Sequence, residues 1–154
     1  RELSAIFGAA IVWGVPMRSV VTLGDLEHSE WIERPGSAIC LYGSALTKAA
    51  EIEKSKSGAG MRVWLDEPIV DLMKVIPGLK DLIEPSQFGS HSELRWWLGA
   101  LSPSDQRTES EQLKFHYERW YSEKNTKDWF AGKNKEDTDR IICYAIEDLR
   151  KIGR

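Results

Sequence analysis

Apolar and polar positions in the first half of this chain follow two different periods. Four short runs that are rich in apolar or β-branched residues predict strands: 17–24, 29–34, 37–42 and 61–65. Three stretches of helix-forming residues, two of them with apolar positions at helical spacing, predict helices: 2–14, 44–57 and 67–75. The pattern therefore predicts strands that alternate with helices.

Capping and helix-breaking residues set the ends of these elements. Ser44 follows a glycine at the start of the second predicted helix, where we expect it to be the N-cap. Asp66 is placed to cap the third predicted helix, and Pro68 lies near its first turn. Gly58 is expected to end the second predicted helix, because glycine readily adopts the conformation that closes a helix.

The second half of the chain reads as mainly helical. Residues 92–101 predict a short helix capped by Ser92, and residues 108–123 and 135–152 predict two longer helices. Apolar residues lie on one side of each long helix, so we expect the two to pack on each other through these residues: Leu113, Tyr117 and Trp120 against Ile142, Ala145 and Leu149.

The order of elements predicts an α+β or α/β fold, with a helical C-terminal extension packed on a sheet. We expect an αβ portion over residues 1–78 and the helical extension over residues 79–154. Strands 17–23, 37–42 and 61–65 are predicted to share one sheet, with the helix over 44–57 packed across it.

Composition and charge narrow the class of protein. The chain has 154 residues, 42% of them hydrophobic, which is enough for one domain with a core. A formal net charge of −3 argues against general nucleic-acid binding, which usually requires a basic surface. The apolar run over 5–15 is about half the length of a bilayer span, so no membrane association is predicted.

Cysteine use and the first residue add two expectations. Cys40 and Cys143 lie among apolar residues, which favours reduced core thiols in a cytoplasmic protein, and a disulfide between them is the alternative. The chain begins at Arg1 instead of methionine, which suggests that it is part of a longer gene product or is trimmed.

Several of these segments match the order of motifs in one enzyme family. A strand that ends in Gly24 is followed by a hairpin excursion, by Gly43, by a helix that contains Ile52-Glu53, and by the strand Met61-Arg62-Val63-Trp64-Leu65. Over roughly residues 10–76 the chain resembles the second half of the catalytic domain of class III nucleotide cyclases, the adenylate and guanylate cyclases.

This resemblance implies a ferredoxin-like sheet, a homodimer with the site between its subunits, and synthesis of a cyclic nucleotide from a nucleoside triphosphate with Mg²⁺ or Mn²⁺. It places a weak nucleotide-binding site at the start of the second predicted helix, at these positions: Gly43, Ser44, Thr47, Lys48 and Glu51. It assigns no catalytic residue and no metal ligand in this chain, because the family's two metal-binding aspartates align with no part of it.

Two departures from the family bear on activity. Thr47 stands where the family has an asparagine that orients the ribose, and Glu51 stands where it has an arginine. An anion at the second position opposes the negative charge that develops in phosphoryl chemistry. The alternative function is therefore a non-catalytic module of the same fold that senses nucleotides or binds proteins. Mg²⁺ or Mn²⁺ would be expected only if aspartates upstream of Arg1 complete the site.

The residues also leave simpler interpretations open. Gly43-Ser44 can be a purely structural turn between a strand and a helix, since such turns are common in αβ proteins. The tryptophans of the second half are either core residues or an aromatic platform for bases, and core is the expectation: Trp96, Trp97, Trp120 and Trp129. His91 and Glu93 are expected at the surface.

Overall fold

A computed structural model describes residues 2–15, 17–32, 37–55, 60–85, 91–103, 106–122 and 133–154. Five α-helices lie in these ranges: α1 Glu2–Trp13, α2 Ser44–Ser55, α3 Glu67–Val75, α4 Glu109–Ser122 and α5 Lys133–Lys151. The same ranges contain six strands: β1 Ser19–Val21, β2 Glu27–Ile32, β3 Ser37–Tyr42, β4 Val63–Leu65, β5 Ile83–Pro85 and β6 Ser92–Leu94. The predicted α+β class is confirmed.

Four of the strands form a mixed sheet in the order β1-β4-β6-β5. β1 and β4 are parallel and are connected through α2, whereas β6 is antiparallel to both β4 and β5. Parallel neighbours need a long crossover connection, and α2 lies within that connection.

The prediction that β3 shares this sheet is wrong. β3 pairs with β2 in a separate antiparallel hairpin, in register from Glu27 opposite Tyr42 to Ile32 opposite Ser37. Two consecutive strands with a short connection can satisfy each other's backbone groups, so the hairpin needs no place in the larger sheet.

The hydrophobic core lies between the sheet and helices α1, α4 and α5. Its largest members are buried to 4% exposure or less: Phe7, Ile11, Met61, Val63, Trp96, Trp97, Leu113, Trp120, Ile141, Ile142 and Leu149. Leu113 and Trp120 of α4 and Ile142, Ala145 and Leu149 of α5 all belong to this cluster, with Tyr117 packed against it. The predicted packing of the two long helices is confirmed, while the division of the chain at residue 78 stays a prediction.

The segment that begins with β6 differs from its predicted secondary structure. The sequence pattern predicts a helix over 92–101, but residues 92–94 form strand β6 and residues 96–100 form turns. Pairing with β4 and β5 on both sides fixes β6 as a strand, and Trp96 then donates its indole N–H to the Met61 carbonyl at 2.8 Å.

The described tryptophans of the second half of the chain are core residues, whereas Trp13 at the end of α1 is 80% exposed. Trp96, Trp97 and Trp120 are each 3% exposed or less. Trp129 lies outside the described residues. These three indoles therefore contribute to the core and not to an exposed platform for bases.

The prediction that Glu93 lies at the surface is wrong, because this residue is only 6% exposed. Its carboxylate forms an ion pair with Arg62, which is also buried and whose Nε donates to Oε2 at 3.2 Å. A buried carboxylate requires such a partner, and the pair joins the start of β4 to β6.

In the part of the chain that the structure describes, no helix combines the length and the apolar character needed to cross a membrane.

Candidate functional site

The turn between β3 and α2 is the place where sequence reasoning puts a nucleotide. α2 begins at Ser44, directly after Gly43, whose φ is +135°. A side chain on Gly43 would collide with the carbonyl oxygen of Asp25, so both the dihedral angle and the close approach require glycine.

The loop between β1 and β2 lies across this helix start. The backbone N–H of Asp25 donates to the Ser44 hydroxyl at 2.9 Å, and the N–H of Ala45 donates to the Asp25 carbonyl at 3.1 Å. The Thr22 hydroxyl donates to the Ala45 carbonyl at 3.0 Å. Three hydrogen bonds therefore fasten the loop to the first turn of α2.

Ser44 has a different role from the N-cap that its position predicts. It is the first helical residue, and its hydroxyl accepts a hydrogen bond from the loop. The carbonyl of Gly43 accepts the first hydrogen bond within the helix, from the N–H of Thr47 at 3.2 Å. Ser44 thus connects two segments and does not cap its own helix.

The remaining predicted site residues lie on the first two turns of α2. The Thr47 hydroxyl donates to the Gly43 carbonyl at 3.2 Å, and the Lys48 ammonium group donates to the Leu23 carbonyl at 3.0 Å. Glu51 is exposed one turn further along. The structure brings all five predicted residues together and gives Ser44, Thr47 and Lys48 partners within the fold.

The electrostatics of this region are mixed. Lys48 supplies a cation, while Glu51 on the same helix and Asp25 and Glu27 in and after the loop supply anions, and all four residues are exposed. A helix start attracts anions through its dipole, worth about 0.3–1 kcal/mol when exposed. Among the described residues, no group of three or more His, Cys, Asp or Glu side chains is arranged to hold a metal ion.

An exposed apolar surface next to this turn is a feature that sequence reasoning did not identify. Leu26 and Leu41 are 59% and 51% exposed. The hairpin register pairs Leu41 with His28, and Leu26 directly precedes the first residue of β2, Glu27. We call Leu26 and Leu41 the hairpin surface.

Two further leucines are exposed in the loop before the hairpin and in α2 after it. Leu23 is 53% exposed in the loop, and Leu46 is 46% exposed in the first turn of α2. They belong to the two segments that the hydrogen bonds between Asp25 and α2 hold together. The sequence contains one indication of these exposed leucines. Leu23 and Leu26 flank the Gly24-Asp25 turn, where polar residues are usual.

Comparison with known proteins gives no match: no family model, no curated protein and no solved structure is significantly similar to this chain.

Proposed function

We propose that this chain is a non-catalytic cyclase-like module that pairs with a second copy of itself through the hairpin surface. The observation that carries the proposal is the exposure of Leu41 on the hairpin and of Leu26 directly before it, while the hairpin stands outside the main sheet. The resemblance to the nucleotide cyclases, which work as dimers, supports a second copy as the partner.

The hydrogen bonds at the start of α2 support a structural role for the turn. Lys48 is directed to the Leu23 carbonyl, and Ser44 to the backbone of Asp25. The Ala45 N–H, a donor that a phosphate at the helix start would use, also donates to the Asp25 carbonyl. Glu51 adds a negative charge on the same helix, which opposes the charge of a triphosphate.

The energetic argument for pairing comes from the leucines. Complete burial of one leucine side chain contributes about 1.5–3 kcal/mol, and each leucine of the hairpin surface still exposes about half of its area. A two-fold contact uses the same surface twice, so four half-exposed leucines would be buried together.

Sedimentation equilibrium over a wide range of protein concentrations tests the pairing, because a dimer dissociates on dilution. The test variant is Leu41→Asp, and the matched control is Leu72→Asp on α3, since these two leucines are 51% and 50% exposed. We expect a dimer for the wild type and for Leu72→Asp, and a monomer for Leu41→Asp. A wild type that stays monomeric at every concentration, or equal behaviour of the two variants, contradicts the proposal.

Calorimetry with each nucleoside triphosphate and Mn²⁺ tests the other function implied by the resemblance. A dissociation constant below about 10 μM, equivalent to about −7 kcal/mol, would favour a nucleotide site. Loss of that binding in Ser44→Ala and Thr47→Ala would place the site at the start of α2. We expect no binding of this strength, because the Ala45 N–H already donates to the Asp25 carbonyl and Glu51 adds a negative charge to the same helix.

A further inference from the structure

The main sheet is open at its β1 edge. The order β1-β4-β6-β5 leaves β1 and β5 on the outside, and no strand among the described residues pairs with the outer side of β1. β5 ends in Pro85, which has no N–H to donate, whereas β1 consists of Ser19, Val20 and Val21 and contains neither proline nor a charged residue. β1 therefore lacks the features with which proteins usually protect a sheet edge.

The hydrogen bonds of β1 show which of its backbone groups face this edge. The Ser19 N–H donates to the Arg62 carbonyl at 2.8 Å, and the Val21 carbonyl accepts from the Asp66 N–H at 2.9 Å. Successive residues of a strand direct their backbone groups to opposite sides, so the N–H and the carbonyl of Val20 face away from β4. This donor and this acceptor are complemented by the acceptor and the donor of a second extended backbone.

A cleft of about 270 Å³ lies beside this edge. Its apolar walls are Val20 and Trp64 on the sheet side and Leu46, Ala49 and Ala50 on the α2 side. Val20 and Trp64 are partners in the register of β1 and β4, so the cleft begins at the edge strand itself. We call this space the α2 cleft.

The polar part of the lining is an ion pair whose two groups satisfy each other. Arg18 donates to Glu53 through one of its terminal nitrogens, and both residues line the α2 cleft. Because this pair is already formed, the cleft offers an incoming group mainly apolar contact with alanine, leucine and valine side chains.

We propose that the β1 edge binds an extended peptide segment of a partner protein, which adds a strand to the main sheet and places one apolar side chain in the α2 cleft. In this mode of recognition, backbone hydrogen bonds supply affinity and pockets for alternate side chains supply specificity. An added strand would lie about 4.8 Å from β1, so every second side chain would stand on the α2 side of the sheet, next to Val20. The volume of the cleft is below the range of about 300–1,000 Å³ that is typical of sites for drug-sized ligands, which fits a single side chain. This inference does not depend on self-association through the hairpin surface.

NMR titration with a designed peptide locates this binding. The probe is a heptapeptide in which threonine and leucine alternate between terminal lysines, so that the leucines lie on one face when the peptide is extended. We expect the amide signal of Val20 and the methyl signals of Ala49 and Ala50 to shift together, and the Val20 amide to exchange more slowly with solvent in the complex. No shift at Val20, or a shift of the two methyl signals without it, overturns the proposal.

Two methylated versions of the peptide test whether the contact is a pairing of strands. Methylation of a backbone nitrogen removes its hydrogen-bond donor, and only every second N–H of an added strand faces β1. One version carries the methyl groups on the leucine nitrogens and the other on the threonine nitrogens. We expect one version to bind at least about tenfold more weakly than the parent peptide and the other to bind like the parent. Equal affinities of the two versions contradict strand addition.

Two variants of the chain test the edge and the cleft separately. Val20→Pro removes the N–H that faces away from β4 and leaves the hydrogen bonds to β4 in place, so peptide binding should weaken at least about tenfold. Ala49→Leu should fill the cleft and weaken binding of the leucine peptide about tenfold, while a peptide with alanine in place of leucine should bind the variant and the wild type equally. Ala9→Leu, an equivalent change at an exposed alanine of α1, is the matched control and should bind like the wild type.

Each variant can contradict the inference. If Val20→Pro remains folded and binds like the wild type, the peptide does not pair with β1. If Ala49→Leu binds the leucine peptide like the wild type, no side chain enters the cleft. The competing occupant is a second copy of the chain: a Val20 amide that is protected from exchange in the free protein and loses this protection on dilution would show that β1 pairs with itself, and the proposal would be wrong. The methylated peptides are tested on the wild type, so they remain informative should either variant fail to fold.

Discussion

Replacement of Asp148 by alanine should destabilise the protein more than any change of an exposed carboxylate. Asp148 lies on α5 and accepts hydrogen bonds from Arg95 Nε at 3.1 Å, from Arg95 Nη2 at 2.6 Å and from Trp97 Nε1 at 2.7 Å. The side chains of Asp148 and Arg95 are 13% and 16% exposed. One carboxylate therefore attaches the last helix to the segment that follows β6.

The size of the effect follows from these contacts. Hydrogen bonds to charged groups contribute about 1.5–3 kcal/mol each, and loss of one partner of a fully buried ion pair costs about 3–5 kcal/mol. Arg95 also donates to the Asp81 carbonyl and keeps some contact with water, so the lower end applies. We expect Asp148→Ala to lower the free energy of unfolding by about 3 kcal/mol.

Asp148→Asn separates charge from shape, because it retains one acceptor and removes the negative charge. Its expected cost is about 1–2 kcal/mol. Both variants are measured by urea unfolding monitored by circular dichroism. The control is Asp71→Ala, which removes an exposed ion pair with Lys74 and should change stability by less than about 1 kcal/mol. If Asp148→Ala costs less than about 1 kcal/mol, the reasoning is refuted.

Three further predictions concern the core, alkaline pH and the start of α2. Trp120→Ala should cost about 3–5 kcal/mol in urea unfolding, because the indole is 2% exposed; a change near zero would contradict its core role. Burial and then the hydrogen bond to Glu84 raise the pKa of Tyr144 to about 12, above its unfolded value of about 10. The unfolded state therefore loses its proton first, so stability should fall as the pH rises from about 10 to 12, and Tyr144→Phe should make this fall smaller. Gly24→Ala would place a carbon 2.6 Å from the Ser44 hydroxyl oxygen, so amide exchange at the start of α2 should become faster, and unchanged exchange would contradict the fit of this loop.

Local signals predicted most of the helices. The Asp66 side chain accepts from the Glu67 N–H at 2.9 Å, and Pro68 lies in the first turn of α3, as their positions in the sequence indicate. The stripes of apolar residues on α4 and α5 likewise identified the faces that pack together. These features depend on residues within a few positions of one another, which is why a single sequence was enough.

Strand pairing could not be read from the sequence in the same way. β6 has only three residues, Ser92–Leu94, and its conformation depends on β4 and β5 as neighbours. A charged residue such as Glu93 is predicted at the surface, but the fold places Arg62 beside it and buries the pair. Such outcomes depend on residues that are far apart in the chain, and a helical pattern over 92–101 carries no information about them.

The candidate site illustrates the same limit. Gly43-Ser44 before a helix has the same local chemistry whether it holds a phosphate or only turns the chain, because the helix dipole and the free N–H groups are present in both cases. What distinguishes the two is Asp25, nineteen positions before Ser44, whose backbone N–H and carbonyl bond to the first turn of α2. The Gly24-Asp25 turn brings the backbone close enough to do this, and Leu23 and Leu26 on its two sides are left exposed. The same loop therefore occupies the helix start and adds a leucine to the hairpin surface, which is the physical reason for favouring a contact surface over a phosphate site.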